Sequence, residues 1–248
     1  MRTVRFGRGT WGVVGGDRVR ATRGPGGRPT GRSARLDEVR LLPPARPTKV
    51  VGVGRNYPDH IREMGGEKPR EPGLFLKAPN ALASPGAGIP YPPFTTSFPY
   101  EGELAVVIGR RMKSVPAAQA LDHVLGYTCA LDLTARDRQR TDLQWVRAKS
   151  ADGFCPLGPW VETDLDPRHL PLRTYVNGDL RQDGRTGAMI FPVPELLAYV
   201  SAFMTLEPGD VLLTGTPGGV GELHPGDRVE VTIDGIGTLA VRIAGPGG

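Results

Sequence analysis

A β-rich α+β fold, with short helices and a small N-terminal β subdomain, is predicted by three features of this 248-residue chain. Glycine (35 residues) and proline (25 residues) punctuate it throughout, which favours short elements joined by turns. Apolar and β-branched runs of strand length recur, as in Leu104-Ala105-Val106-Val107-Ile108. Helical spacing of apolar residues is sustained over any length at 194–206, which ends before Pro208-Gly209. With 39% hydrophobic residues the chain can bury a sizeable core.

In chain order, residues 2–6 and 11–14 are expected as strands, with Gly15-Gly16-Asp17 turning the chain towards Arg18-Val19-Arg20. Residues 23–35, rich in Gly, Pro, Arg, Thr and Ser, are expected as a surface loop. A boundary near residue 48 then separates the small N-terminal subdomain (1–48) from the main domain (49–248), which opens on the strand Lys49-Val50-Val51-Gly52-Val53. A short helix fits 57–64, with a Gly, Pro and charged loop through Pro72 behind it. Leu74-Phe75-Leu76 reads as a strand and 78–99 as a proline-rich meander. Residues 103–108 are apolar enough for a strand buried on both faces. One or two helical turns suit 116–121, because proline is tolerated at a first helical position. Strands are expected at 124–133, 155–161, 172–176, 211–213, 229–233 and 238–243, and no internal repeat is visible.

Composition excludes several classes. No apolar run approaches the roughly 20 residues of a membrane-spanning helix, and the N-terminus shows no apolar stretch of signal-peptide length. A cytoplasmic protein without a membrane partner is expected. Two cysteines, Cys129 and Cys155, are too few for a disulfide framework or a cysteine metal cluster, and both lie in apolar runs. The net charge of +5 is unevenly spread. Residues 1–50 carry eleven Arg and one Lys against three acids, a net +9, and the remaining nineteen basic and 23 acidic residues net −4. This leader has no aromatic-interleaved basic stripe, so it reads as a solvated surface rather than a nucleic-acid site.

Chemistry concentrates in Tyr100-Glu101-Gly102-Glu103-Leu104. Carboxylates at i and i+2 project from one face of an extended chain. Here they open an apolar strand, where desolvated like charges need a cation. Asp132, within the apolar run Tyr127–Leu133, is as hard to place at a surface. Three oxygen donors without a Cys or His cluster suit Mg²⁺ or Mn²⁺. The alternative is a glutamate pair beside a turn, bound to arginines, and the residues alone leave both open. His60 and Glu63 are three apart on the expected short helix, so a carboxylate can orient an imidazole there; on spacing alone the pair is equally a surface ion pair. Lys149, in a segment of mixed polarity, reads by itself as solvated. Gly52-Val53-Gly54-Arg55-Asn56-Tyr57 lacks the third glycine of a dinucleotide fingerprint, and Gly215–Gly221 lacks the Lys-Ser/Thr ending of a phosphate loop. Both are expected as tight turns that bring backbone close to a ligand.

Taken in order, several stretches resemble the fumarylacetoacetate hydrolase family over about 47–243. They are Val51–His60, Leu74-Phe75-Leu76-Lys77-Ala78-Pro79, Tyr100–Leu104, Gly126-Tyr127 through Asp132-Leu133-Thr134-Ala135-Arg136-Asp137, Ala148-Lys149-Ser150, and Leu213-Thr214-Gly215-Thr216-Pro217 through Gly221. The resemblance implies a mixed β-roll or sandwich, a homodimer, and a divalent metal held by Glu101, Glu103 and Asp132. It implies a catalytic His60–Glu63 dyad on a mobile lid with Gly65-Gly66 as hinge, a catalytic Lys149, and substrate contacts from Arg55, Tyr57, Arg136, Gln139 and Thr216. The leader resembles the N-terminal extension of bacterial members. Pro58, where alanine is common, is expected to stiffen the lid hinge, and Gly102 to loosen its strand.

The implied substrate is a small 2-oxo acid, and the implied reaction is hydrolysis of a C–C bond in an acylpyruvate-like 2,4-diketo acid through a metal-stabilised pyruvate enolate. The alternative is isomerisation or decarboxylation of 2-hydroxy-2,4-diene dicarboxylates, as in aromatic catabolism, or an oxaloacetate-type decarboxylation. A non-enzymatic binding module using the basic leader belongs to a different class, and deletion of 1–50 separates it from an enzyme.

Overall fold

The structure, a computed structural model, describes residues 1–245. The N-terminal region forms β1 (Arg2–Phe6), β2 (Thr10–Gly15), β3 (Arg18–Thr22), β4 (Pro29–Arg35) and β5 (Leu41–Leu42). The main part follows with β6 (Val50–Gly54), α1 (Pro58–Met64), β7 (Gly73–Lys77), β8 (Leu82–Ala83), β9 (Gly88–Pro90), β10 (Pro99–Tyr100) and β11 (Gly102–Ile108). Next come α2 (Ala117–Ala120), β12 (Val124–Leu131), α3 (Arg136–Thr141), α4 (Val146–Lys149), β13 (Cys155–Glu162), β14 (Pro171–Val176) and β15 (Asp179–Arg185). The chain closes with α5 (Val193–Phe203), β16 (Val211–Leu213), β17 (Gly221–Glu222), β18 (Arg228–Ile233) and β19 (Gly237–Ala244).

A twelve-stranded mixed sheet runs in the order β4-β3-β2-β1-β13-β12-β11-β16-β6-β7, with β5 beside β1 and β8 beside β13. A second sheet, β15-β14-β18-β19-β9, packs against its centre through β11, β12 and β13. Facing sheets explain the patterns of their strands. In β11 every residue is buried, because both of its faces are covered. In β14 and β18 buried and less buried positions alternate, as in a strand with one face on the core. Between the layers Leu104, Val106, Leu131, Val231 and Leu239 are closed off from solvent.

Local sequence explains the elements that carry the site. Tyr57 is extended ahead of Pro58, as the residue before proline prefers, and Pro58 occupies the first helical position of α1 without losing a needed hydrogen bond. Gly65, with φ 68°, ends that helix, and the amides of Gly65 and Gly66 return to the carbonyls of Arg62 and Ile61. β12 stops at Leu131, so Asp132 lies at a strand end rather than inside a strand reaching 133.

Several expectations are corrected. Residues 29–35 are a strand, not loop: β4 pairs with β3 at the sheet edge, with Pro29 at its first position. Backbone pairing holds it while its side chains stay largely exposed, so no hydrophobic pattern marks it. β15, largely exposed except for the buried Gln182, escapes notice in the same way. The α3 and α4 turns were not expected, and the C-terminal helix spans 193–203 rather than 194–206, with Met204 already extended. Gly102 does not loosen its strand. A Cβ there would lie 2.1 Å from Thr174 Oγ1 of β14, so glycine is what lets the two sheets approach.

The N-terminal strands continue the large sheet, β1 pairing with β13 through Arg2↔Glu162 and Thr3↔Val161. Residue 48 falls in the segment between β5 and β6. No helix among the described residues is long and apolar enough to cross a membrane.

Candidate active site

Glu101 and Glu103 flank Gly102 at the start of β11, and hydrogen bonding from Asp132 N to Glu101 O at 2.9 Å brings the end of β12 alongside. A carboxylate oxygen from each of Glu101, Glu103 and Asp132 can be chosen so that all three lie within 4.8 Å of one another, and all three residues are buried. Left alone, such a cluster repels itself. Burial, with the charges of Asp132 and Glu101, pushes the Glu103 carboxyl well above the usual carboxylate range. Glu103 Oε2 accepts from the amide of Gly215 at 2.6 Å, so the glycine-rich turn meets a site carboxylate.

Three cations face this acidic centre. Arg136, at the start of α3, donates to Glu101 Oε1, and its other arm donates to Gln139 Oε1 at 2.7 Å. Lys149, at the end of α4, lies 2.5 Å from Asp132 Oδ2, 2.8 Å from Thr134 Oγ1 and 3.8 Å from Glu101 Oε2. Burial opposes ionisation of Glu101, but Lys149 and Arg136 overcome it and bring its carboxyl to about 2. The third cation is Lys77 of β7. Its fully buried ammonium donates to the carbonyls of Leu133 and Lys149 at 3.0 and 2.8 Å and lies 2.5 Å from Asp132 Oδ1. Lys77 thus ties together the segments that present Asp132 and Lys149. A lysine closing the apolar strand Leu74-Phe75-Leu76 was the sequence signal for it.

A cavity of about 480 Å³ opens above the cluster. Its polar floor is formed by Glu101, Arg136, Gln139, Lys149, Thr216 and His60, and Met64, Pro69, Leu74, Phe75 and Trp145 supply apolar wall. Phe75 packs against the β6 backbone, where a Cβ on Gly52 would lie 2.2 Å from its ring, and the Lys149 ammonium lies 4.4 Å from the ring centroid. Thr216 is held by Gln182, another residue the sequence did not single out: Gln182 Nε2 donates to Thr216 Oγ1 at 2.7 Å, and Gln182 Oε1 accepts from Gly102 N at 2.9 Å.

The lid is α1. His60 is buried and lines the cavity, whereas Glu63 is 45% exposed and lies outside the lining. Their closest approach, His60 Nδ1 to Glu63 Oε2, is 3.8 Å, too long for a hydrogen bond, and Nδ1 has no partner. Glu63 Oε1 instead accepts from Gly219 N at 2.6 Å, so the second half of the glycine-rich turn holds the lid carboxylate. Burial, partly offset by the charge of Glu101, lowers the His60 pKa below its ordinary value and favours a neutral imidazole.

Of the eleven residues expected in the site, nine meet here: Glu101, Glu103 and Asp132 in the cluster, and His60, Lys149, Arg55, Arg136, Gln139 and Thr216 on the cavity. Glu63 stands outside the cavity, 3.8 Å from His60 Nδ1. Tyr57 does not face the cavity. It is buried, its hydroxyl has no hydrogen-bond partner, and burial with the charge of Glu103 raises its pKa.

The donor set fits a hard divalent cation. It offers three buried carboxylates crowded together, one of them driven towards its neutral form by its neighbours. A two-layer β-roll carrying a buried carboxylate triad beneath a lidded cavity defines a class of metal-site enzyme scaffolds. The chain belongs to the fumarylacetoacetate hydrolase family: the profile "Fumarylacetoacetate (FAA) hydrolase C-terminal" matches residues 49–244, and "Rv2993c-like, N-terminal" matches 1–44. Members of the family generally bind a divalent metal.

Its relatives differ in reaction. The chain is 44% identical over 203 residues to the bovine (Bos taurus) mitochondrial oxaloacetate tautomerase FAHD1, covering 79% of this chain and 92% of the relative. The structure of 2-hydroxyhepta-2,4-diene-1,7-dioate isomerase from Mycobacterium marinum superposes with a TM-score of 0.92 at 45% identity, covering all of both chains. That of fumarylacetoacetate hydrolase from Exiguobacterium antarcticum gives 0.88 at 39% identity, covering 99% of each.

Proposed function

We propose that this protein is a divalent-metal-dependent hydrolase that cleaves a C–C bond in acylpyruvate-like 2,4-diketo acids. The observation that carries the proposal is one cavity lined both by Glu101, which belongs to a cluster of three buried carboxylates, and by the His60 imidazole, whose burial favours the neutral form. Glu101, Glu103 and Asp132 would hold Mg²⁺ or Mn²⁺, which supplies Lewis acidity towards the 1-carboxylate and 2-oxo oxygens of the substrate.

The chain's own groups supply the rest. Arg136, Gln139 and Thr216 offer hydrogen bonds that fix the 2-oxo acid end over the floor. Neutral His60 accepts a proton from water as the hydroxyl adds to C4. The C3–C4 bond breaks, its electron pair stays on C3, and the pyruvate enolate so formed takes a proton there; the other product is the carboxylic acid of the acyl group. The ammonium of Lys149 stands where negative charge grows during this step, and so favours the transition state over the ground state. Glu63, once moved the short distance to His60 Nδ1, fixes the tautomer that leaves Nε2 free to act. Closure of α1 about Gly65-Gly66 excludes competing water. A homodimer in the cytoplasm is part of the same proposal.

A second reading, isomerase, tautomerase or decarboxylase, is favoured by the likeness to the tautomerase and the isomerase. It uses the same floor, because each of these reactions also passes charge to the 2-oxo oxygen. The test is a product assay on acetylpyruvate with Mg²⁺. Equal amounts of pyruvate and acetate, abolished by EDTA and restored by Mg²⁺, are expected. Keto–enol conversion without cleavage, or carbon dioxide from oxaloacetate without hydrolysis of any acylpyruvate, would overturn the hydrolase in favour of the second reading.

A further inference from the structure

A glycine separates the two glutamates of the acidic centre, and glycine is the residue whose backbone turns most freely. Two ligands on either side of it keep a fixed spacing only if something else holds that backbone. On one side β12 does so, since Gly102 lies opposite Leu131. On the other side the neighbouring strand has ended, because β16 pairs with β11 through Ala105, Val106 and Val107 and reaches no further towards Gly102.

Gln182 and Thr216 take the place of that missing strand. The Gln182 Oε1 accepts from Gly102 N at 2.9 Å, and Thr216 Oγ1 donates to Gly102 O at 2.9 Å. These groups belong to the peptide bonds that join Gly102 to Glu101 and to Glu103. Gln182 Nε2 gives one proton to Thr216 Oγ1 at 2.7 Å and the other to Pro217 O at 2.9 Å. Gly102 N can only donate and Pro217 O can only accept, so the amide has a single orientation. The Thr216 proton is committed to Gly102 O, so its hydroxyl cannot turn either.

The second sheet is shaped to deliver this amide. Gln182 is fully buried on an edge strand that is otherwise largely exposed. A bulge precedes it: Thr174 pairs with Gln182 and Tyr175 with Leu180, which leaves Arg181 between them as the extra residue. A Cβ on Gly219 would lie 2.0 Å from Arg181 O, and one on Gly184 would lie 2.5 Å from Pro217 Cβ. Glycine on each side thus lets the segment 215–219 lie directly on β15. Gln182 itself is not part of the cavity lining.

We infer that Gln182 is a positioning residue for the metal carboxylates: with Thr216 it clamps the Gly102 backbone and so sets the spacing of Glu101 and Glu103. The inference rests on the reading of the acidic centre as a divalent-metal site. Outer groups that orient ligands in this way commonly contribute 10- to 100-fold to metal affinity.

The test is Mn²⁺ binding by calorimetry, with thermal melting followed by circular dichroism. Gln182→Met, which keeps the length and removes the amide, is expected to weaken Mn²⁺ binding about tenfold or more. Leu172→Ala, at a buried position of β14 outside these contacts, is expected to lower the melting temperature and leave Mn²⁺ affinity within about twofold. Thr216→Ser, which keeps the hydroxyl, should retain affinity, and Thr216→Val should lose it. The Gln182→Met/Thr216→Val pair should lose less than the product of the separate losses, because both act on Gly102. Unchanged affinity in Gln182→Met, or a loss no larger than that of Leu172→Ala, overturns the inference, as do losses that multiply. If Gln182→Met does not fold, Thr216→Val decides, and unchanged affinity there overturns it equally. An unmodified protein that binds no Mn²⁺ removes the metal reading itself, and the clamp falls with it.

Discussion

Glu103 and Asp132 sit at the ends of strands buried in the large sheet, with the buried Lys149 beside them at the end of α4, whereas His60 and Glu63 ride a seven-residue helix whose outer side faces solvent. In the first region each carboxylate has a nearby cation or amide: Arg136 for Glu101, Gly215 N for Glu103, Lys77 and Lys149 for Asp132. In the second, the central contact stands open at 3.8 Å and Glu63 is held by a backbone amide instead. The rigid region can serve any reaction that passes charge to a 2-oxo oxygen. On the proposed function, the region around α1 would decide whether water, a proton or neither is delivered. Relatives that share the fold and differ in reaction are what such a division of labour would produce.

Asp132→Ala cuts deepest, since it removes a charge on which two lysines converge. Divalent-metal affinity is expected to fall by roughly 10² or more and turnover by about 10³. Calorimetry with Mn²⁺ alongside circular dichroism checks this, and a folded variant with undiminished affinity would remove the rigid region from the account. His60→Ala should separate the two regions: hydrolysis falls by about 10²-fold while Mn²⁺ affinity stays within about twofold. Comparable losses of both would mean the lid and the floor are not independent.

The smallest effect concerns pH. A histidine with a lowered pKa stays neutral, and so basic, at lower pH than an ordinary one; the acidic limb of kcat/KM is therefore expected below pH 6.5. The charge of Glu63 raises the His60 pKa, so Glu63→Gln should move that limb further down, with a rate loss of about tenfold. A limb that moves upward in the variant would show that Glu63 does not act on His60.

The sequence pointed to the acidic centre through two carboxylates opening an apolar strand and a third in another apolar run, but it left open a glutamate pair held by arginines, and Arg136 does hold Glu101. The His60–Glu63 pair was legible as a spacing, but its distance was not, since one turn of helix says nothing about how a lid is seated. Lys77 and Gln182 were illegible for a different reason. Each acts through partners tens of residues away, Lys77 through Leu133 and Lys149, Gln182 through Gly102 and Thr216. Only the assembled sheets bring such partners together. The edge strands β4 and β15 were missed because backbone pairing needs no hydrophobic alternation. Gly102 was misjudged because its neighbour across the layers, Thr174, is invisible in one dimension.

Formally, three carboxylates and three basic side chains cancel at the floor of this cavity. Adding a doubly charged ion therefore leaves a surplus of two, the charge of a 2-oxo acid once its carboxyl and its enol are both ionised. Ion and substrate should accordingly strengthen each other's hold, with neither tightly retained alone. With Glu103 driven towards its neutral form until a cation arrives, such a cavity would resist scavenging stray cations between turnovers and would become strongly attractive only when its second guest arrives.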